Sequence, residues 1–215
     1  MVRLAVRNVA IERGDRLVLD GVSFEVGAGE AVVLRGPNGT GKTTLIRAIA
    51  GLLPCAAGEI RFEGAGLEDE TRPGPQCHYI SHRNALKADL TVRQNLFFWS
   101  DYSGRAALEF DAVAEQVDLV ELADIPVRYL SAGQQRRAAL ARLIASSRPL
   151  WLLDEPTVSL DEAHTALFAE IVNRHLAEGG LIVAATHTPL GFSRERVLRL
   201  GELDRATAVA GEAAP

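Results

Sequence analysis

Three observations predict an α/β fold with a mixed sheet, an antiparallel layer near the amino terminus and an inserted helical subdomain. Ala31 to Leu34, Leu150 to Leu153 and Leu181 to Ala185 are unbroken apolar runs, as expected for strands of a parallel sheet covered on both faces. Val2, Leu4 and Val6, and later Val22-Ser23-Phe24-Glu25-Val26, alternate with polar or small residues, the pattern of strands with one solvated face. Residues 83–145 carry a mainly helical pattern between the first and second apolar runs.

Taken in order, Gly14-Asp15 reads as a hairpin turn between the first two strands, and Gly27 to Glu30 as the turn into the first buried one. Thr43 to Ala50 suit a helix that Gly51 and Pro54 stop, after which Glu59 to Glu63 restart a short strand. Gly64 to Gln76 is polar and rich in Gly and Pro, a connecting segment before a strand at Cys77 to Ile80. Thr91-Val92-Arg93-Gln94 is a capping box opening an apolar helix through Trp99. Helix continues around residues 106 to 123, breaks at Pro126 and resumes from Gln134 to Ala145. A helix from about Asp161 ends at Ala177 before Gly179-Gly180, and Val197 to Leu200 forms a last edge strand. The domain reading is a single domain: a core of 1–82 and 146–205, the helical subdomain at 83–145, and a frayed tail at 206–215.

The bulk properties narrow the functional classes. At 215 residues the chain can bury a substantial core, and 47% hydrophobic with 24% charged residues is ordinary for a globular protein. A net charge of -5 argues against a broad basic surface, so nucleic acid is not the expected partner. No apolar run is long enough to span a bilayer, and Met1-Val2-Arg3 leads into strand rather than a signal peptide, so a cytoplasmic protein is expected. Cys55 and Cys77 lack metal or redox spacing and read as packing residues.

The chemistry is concentrated at Gly36-Pro37-Asn38-Gly39-Thr40-Gly41-Lys42-Thr43-Thr44, which follows a buried strand and opens a helix. A glycine, four free positions and then Gly-Lys-Thr is the phosphate-binding loop of a P-loop NTPase. Its glycines let successive N–H groups point at phosphate oxygens, and the helix N-terminus adds a positive end. Lys42 would reach the β- and γ-phosphates of ATP, and the Thr43 hydroxyl would take one position on Mg²⁺. Outside that context the string is only a glycine-rich turn before a helix. Asp154-Glu155 follows the second apolar run directly, at the sheet edge where ligands of open α/β folds bind. Asp154 would hold Mg²⁺ through water, and Glu155, one residue out, would take a proton from attacking water. Without the loop, such a pair is no more than a solvated loop start.

Leu130-Ser131-Ala132-Gly133-Gln134 precedes a helix, and a plain N-cap explains Ser131 but not the whole string. Followed by Gln135-Arg136-Arg137, it resembles the signature sequence of ABC ATPases. Leu153-Asp154-Glu155-Pro156-Thr157, Ser159-Leu160-Asp161 and Thr186-His187 then fall in that family's order, so the resemblance covers nearly the whole chain. It implies a head-to-tail dimer in which Ser131 and Gly133 of one subunit close over ATP held by the other's loop. Gln134 and Asp161 join the nucleotide-contacting positions, and His187 would touch the γ-phosphate and orient the attacking water.

Two departures from the family pattern are informative. The aromatic residue expected to stack on adenine is replaced by Ile11-Glu12-Arg13, leaving Arg13 as the candidate, through its planar guanidinium. The glutamine expected after Tyr79-Ile80-Ser81, which senses Mg²⁺ and couples to membrane partners, is His82. With Arg83-Asn84-Ala85-Leu86-Lys87 and Leu90-Thr91 after it, and no regulatory domain, the chain is similar to the ATP-binding subunit of bacterial cytochrome c maturation, the haem exporter family. The resemblance implies transmembrane partner subunits, a peripheral place on the cytoplasmic face of the inner membrane, and a docking surface from His82 to Asn95. The ATPase of another ABC transporter, or a soluble non-transport ABC protein, is the alternative. A neutral imidazole at 82 can accept a hydrogen bond from metal-bound water, whereas an imidazolium would repel the ion. Turnover should therefore fall below about pH 6.5, the ordinary histidine pKa. In a pH–rate profile His82→Gln should flatten that acidic limb; an unchanged limb would remove His82 from the role.

Overall fold

The computed structural model describes residues 2–14, 16–64, 73–103 and 109–201. Asp15, much of the predicted connecting segment, the start of the stretch expected to be helical from 106, and the tail lie outside them. In chain order the elements are β1 (Arg3–Arg13), β2 (Arg16–Gly27), β3 (Ala31–Arg35), α1 (Lys42–Ile49), β4 (Ala57–Glu63), β5 (Cys77–Ile80), α2 (Val92–Ser103) and α3 (Phe110–Glu115). They continue as α4 (Ala132–Ala145), β6 (Leu150–Asp154), α5 (Glu162–Ala177), β7 (Leu181–Ala185) and β8 (Glu195–Arg199).

Parallel and antiparallel pairing are divided between two sheets. β2, β1 and β4 form a three-stranded antiparallel sheet in that order, and β5-β6-β7-β3-β8 form a five-stranded sheet in which every pair is parallel. The antiparallel layer is thus not purely amino-terminal, since β4 joins it from beyond α1. β1 and β2 are longer than the alternation suggested. Register shifts in both pairings of β1 after Val6 and Arg7, where Asn8 takes a left-handed φ of 48°, change which face each side chain meets.

Strand periodicity splits the interior into two cores. Val32, Leu34, Leu150, Leu152, Leu181 and Val183 point toward the antiparallel sheet and toward Leu45, Ile46 and Ile49 of α1. Ala31, Val33, Trp151, Leu153, Ile182 and Ala184 point the other way, into a core shared with α2 to α5. β6 and β7 are buried at every position as a result, which is why their sequences are continuously apolar. Among the described residues, no helix is long and apolar enough to cross a membrane.

The helical segment keeps its predicted capping box. Gln94 N donates to Thr91 Oγ1 at 3.1 Å while Thr91 N donates to Gln94 Oε1 at 3.0 Å. Buried Asn95 then ties down the preceding loop, accepting from Lys87 N at 2.8 Å and donating to the carbonyls of Lys87, Leu90 and Thr91. The helix expected to run to residue 123 stops sooner, because α3 ends at Glu115 and Asp118 takes a left-handed φ of 53°.

Two half-buried histidines sit at the opposite end of the large sheet from the β3 loop. His78 Nε2 donates to the Ser146 carbonyl at the end of α4 at 2.6 Å, and the His175 ring stacks on Trp151 at 3.8 Å. Burial, the largest influence on each, pushes both imidazoles from the ordinary 6.5 down to about 4. The folded protein therefore holds them neutral while the unfolded chain takes up protons near pH 6.5. Stability present above that value should decline as pH falls from 6.5 toward 4, by up to about 3 kcal/mol per histidine. Urea midpoints at pH 7 and pH 5 will measure this, and His175→Phe, which keeps a stacked ring without a titrating nitrogen, should reduce the difference.

Candidate active site

Strand order determines which loops meet. β7 lies between β6 and β3, and Ala185 is in register with both Leu34 and Asp154. The loop after β3, the acids after β6 and the histidine after β7 consequently open at one sheet edge. They line a cleft of about 780 Å³ whose walls include Asn38 to Thr44, Asp154, Glu155 and His187. Arg13, Arg16, Leu17 and Val18 from the first hairpin form another wall.

The loop's conformation depends on glycine at two points. Gly41, the N-cap of α1, has φ 91°, and a Cβ there would come within 2.7 Å of Leu19. Gly36 has φ 149°, and a Cβ would meet the Leu200 carbonyl at 2.6 Å. The unpaired N–H groups of the first turn of α1 therefore face the cleft without side chains between. Buried Lys42 folds back along the loop, its Nζ donating to the carbonyls of Gly36 at 2.7 Å and Pro37 at 2.9 Å. Thr40 Oγ1 donates to Pro37 O at 3.0 Å and closes the same turn.

Thr43 Oγ1 lies 3.0 Å from each oxygen of the buried Asp154 carboxylate. Hydroxyl and carboxylate oxygens beside a phosphate cradle are the hard donor set that Mg²⁺ takes, so the residues present fit that ion. Glu155 and His187 approach on the outer side, with His187 Nε2 3.7 Å from Glu155 Oε1. That separation is too long for a hydrogen bond, and among the described residues neither side chain has another hydrogen-bond partner. Both remain available to a ligand: the Glu155 side chain is 28% exposed and that of His187 56%.

The backbone under these groups is fixed from several directions. Glu155 has a left-handed φ of 49°, an uncommon conformation for a residue with a side chain, and its N–H donates to Ala185 O at 2.8 Å. Arg35 Nη1 donates to Thr186 O at 2.9 Å, tying β3 to β7 beside His187, and buried Thr186 accepts from Thr188 N at 3.1 Å to hold the turn. Arg136 of α4 donates to the carbonyls of Glu155 and Pro156, each at 2.7 Å. Burial lowers its pKa to about 10, opposed by the nearby Asp154 and Glu155 charges, so it stays a cation at neutral pH. Sequence reasoning assigned no role to Arg35, Arg136 or Arg16. The first two act through backbone carbonyls, which leave no residue-type signature.

The remaining candidate residues lie elsewhere. Ser131 caps α4 in a full capping box with Gln134, with bonds of 3.2 Å and 2.8 Å, and does not line the cleft. Gly133 packs against the Ser159 carbonyl, which a Cβ would approach to 2.9 Å. Asp161 caps α5, accepting from His164 N at 2.8 Å and its ring Nδ1 at 2.7 Å, bonds that hold its carboxyl below the usual range. None of these three reaches this chain's own cleft. His82 follows β5, one strand out from Glu155, exposed and outside the cleft walls.

A phosphate cradle, a hard-oxygen donor pair and an unpaired carboxylate with an imidazole beside it make the chain a P-loop nucleotide-binding protein by its site as well as its fold. A family model described as ABC transporter matches residues 19–158, and the chain belongs to that family. The chain is 50% identical over 200 residues to the cytochrome c biogenesis ATP-binding export protein of Chelativorans sp. (strain BNC1), covering 93% of this chain and 98% of that protein. It is 44% identical over 201 residues to the protein of the same name in Agrobacterium fabrum (strain C58 / ATCC 33970), covering 92% and 94%. Among solved structures, an ATP-binding subunit of an ABC transporter superposes with a TM-score of 0.80 at 25% identity, over 98% of this chain and 95% of that one. An ATP-binding cassette determined as a dimer with ADP and phosphate gives 0.79 at 24% identity, over 92% and 94%, a likeness of fold.

Proposed function

We propose that the chain is the ATP-hydrolysing subunit of a membrane ABC complex that serves cytochrome c biogenesis, handling haem and driving release of its haem-loaded chaperone. The observation that carries the hydrolytic reading is the meeting of Lys42, the Thr43–Asp154 pair and the unpaired Glu155 and His187 around one cleft. The relatives named for cytochrome c biogenesis, similar over nearly their whole length, support the biological role.

In this reading the loop N–H groups and Lys42 bind the β- and γ-phosphates of ATP, and phosphoryl transfer to water follows. Thr43 and Asp154 would hold Mg²⁺, which when bound neutralises phosphate charge. Glu155 takes the proton of the attacking water and His187 orients it against the γ-phosphate. Arg13 and Arg16 flank the part of the cleft left for the base. Ser131, Gly133, Gln134 and Asp161 serve a second copy of the chain in a head-to-tail dimer, in keeping with their place outside their own cleft. Transmembrane subunits dock on the surface from His82 to Asn95, which keeps the chain peripheral at the cytoplasmic face of the inner membrane, with His82 reporting on the nucleotide.

Glu155→Gln keeps the shape of the side chain and removes the base. Steady-state hydrolysis should fall by at least roughly 10²-fold while ATP binding is retained. Phosphate release and equilibrium nucleotide binding measured on the same preparation will test this, and unimpaired turnover would overturn the assignment of Glu155.

A further inference from the structure

Arg136 is only 2% exposed, yet it makes no salt bridge among the described residues. Its guanidinium is spent on oxygens of two segments far apart in sequence. Nε donates to Pro156 O at 2.7 Å and Nη2 to Glu155 O at 2.7 Å, both just beyond β6. Nη1 donates to Ser81 O at 2.7 Å and to Asn84 Oδ1 at 3.1 Å, just beyond β5 and on either side of His82. A lysine could not replace it, because a single ammonium cannot reach both sides of the fork at once.

The geometry points to Arg136 as a positioning residue for hydrolysis: it sets the aim of the Glu155 carboxylate and links that aim to the segment Ser81–Asn84. The inference rests on the reading of Glu155 as the base. Glu155 occupies a left-handed backbone conformation, which persists only where surrounding bonds over-determine it. Three bonds do so here. The Glu155 N–H is held by Ala185 O of β7, and its carbonyl accepts from Arg136 Nη2 at 2.7 Å and, at the longer distance of 3.4 Å, from Val158 N. Without Arg136 the carbonyl keeps only the long bond from Val158, and the turn that carries the Glu155 side chain loses its closest anchor. Pro156 cannot compensate, since its nitrogen has no hydrogen to donate. Arg136 also lies one turn into α4, the helix that Ser131 caps, so a shift of α4 or of residues 81–84 reaches Glu155 through one side chain.

The test is a double-mutant cycle on the full-length chain, read by turnover, equilibrium ATP binding and thermal melting. Arg136→Gln should lower kcat roughly tenfold to a hundredfold, the cost of misplacing a catalytic group by about an ångström, with ATP affinity changed less than about threefold. In the Glu155→Gln background the same substitution should cost little further turnover, because the group it aims is already gone. An equal fold-loss in both backgrounds, a loss carried by ATP affinity, or an unchanged kcat would overturn the positioning role. If Glu155→Gln alone leaves turnover intact, it is the assignment of Glu155 that fails. Should Arg136→Gln not fold, Asn84→Ala removes one of the arginine's anchors from a half-buried site. It should lower kcat by a smaller factor, again only while Glu155 is present, and equal loss in both backgrounds would count against the proposal in the same way.

Discussion

Burying both faces of β6 and β7 constrains everything else in this protein. A strand with no solvated face can carry no polar side chain along its length, so chemistry is displaced to the residues just past its end. Asp154 stands at that limit, buried as the last residue of β6, and Glu155 and His187 lie immediately beyond. Because β7 separates β6 from β3, both strand ends are held beside the phosphate loop at sheet spacing. The antiparallel sheet and α1 on one side, and the helical segment on the other, supply the apolar cover that makes this arrangement stable.

The same constraint explains why the supporting contacts are made to the main chain. Strand ends and edge strands leave carbonyls without ladder partners, and carbonyls shielded from water need donors. Three arginines answer in similar fashion: Arg35 to Thr186, Arg136 to Glu155, Pro156 and Ser81, and Arg142 to Tyr79. A guanidinium suits this work because its planar fork reaches several fixed oxygens at once. These arginines thus do for the unpaired carbonyls what hydrogen-bond ladders do within the sheet.

The sequence was most readable where one residue type has one physical use. The glycines of the loop, the Lys42-Thr43 pair, the continuous strands and the capping box at Thr91 could all be named from chemistry that admits few substitutes. Legibility failed where the deciding partner is distant in sequence. β4 carries a short alternating pattern, and nothing in it says that it pairs with β1 rather than with the parallel sheet. The bulge at Asn8 reverses the phase of alternation, so β1 looks shorter than it is. α3 looked long because Ala and Glu favour helix, but the left-handed turn at Asp118 accompanies three contacts from Arg137, to its carboxylate, its carbonyl and the carbonyl of Val117. Such contacts cannot be counted from local propensity.

The placement of Ser131, Gly133 and Asp161 away from the cleft has a consequence for how the parts act together. Ser131 already spends its hydroxyl capping α4, and Gln134 returns the bond, so the start of α4 is internally satisfied and needs no nucleotide to form. A hydroxyl oxygen has two lone pairs and one hydrogen, so the cap leaves it able to donate to a phosphate offered from outside. α4 can therefore serve at once as a preformed anion site at its first turn and, one turn later, as the anchor of Arg136 on Glu155. In the proposed dimer, a motion of its N-terminus toward the partner's phosphate would also move Arg136, which holds the Glu155 carbonyl. Binding at one cleft and hydrolysis at the other would then be joined, in that head-to-tail dimer, by a single helix, and coupling between the two sites would require no longer path than that.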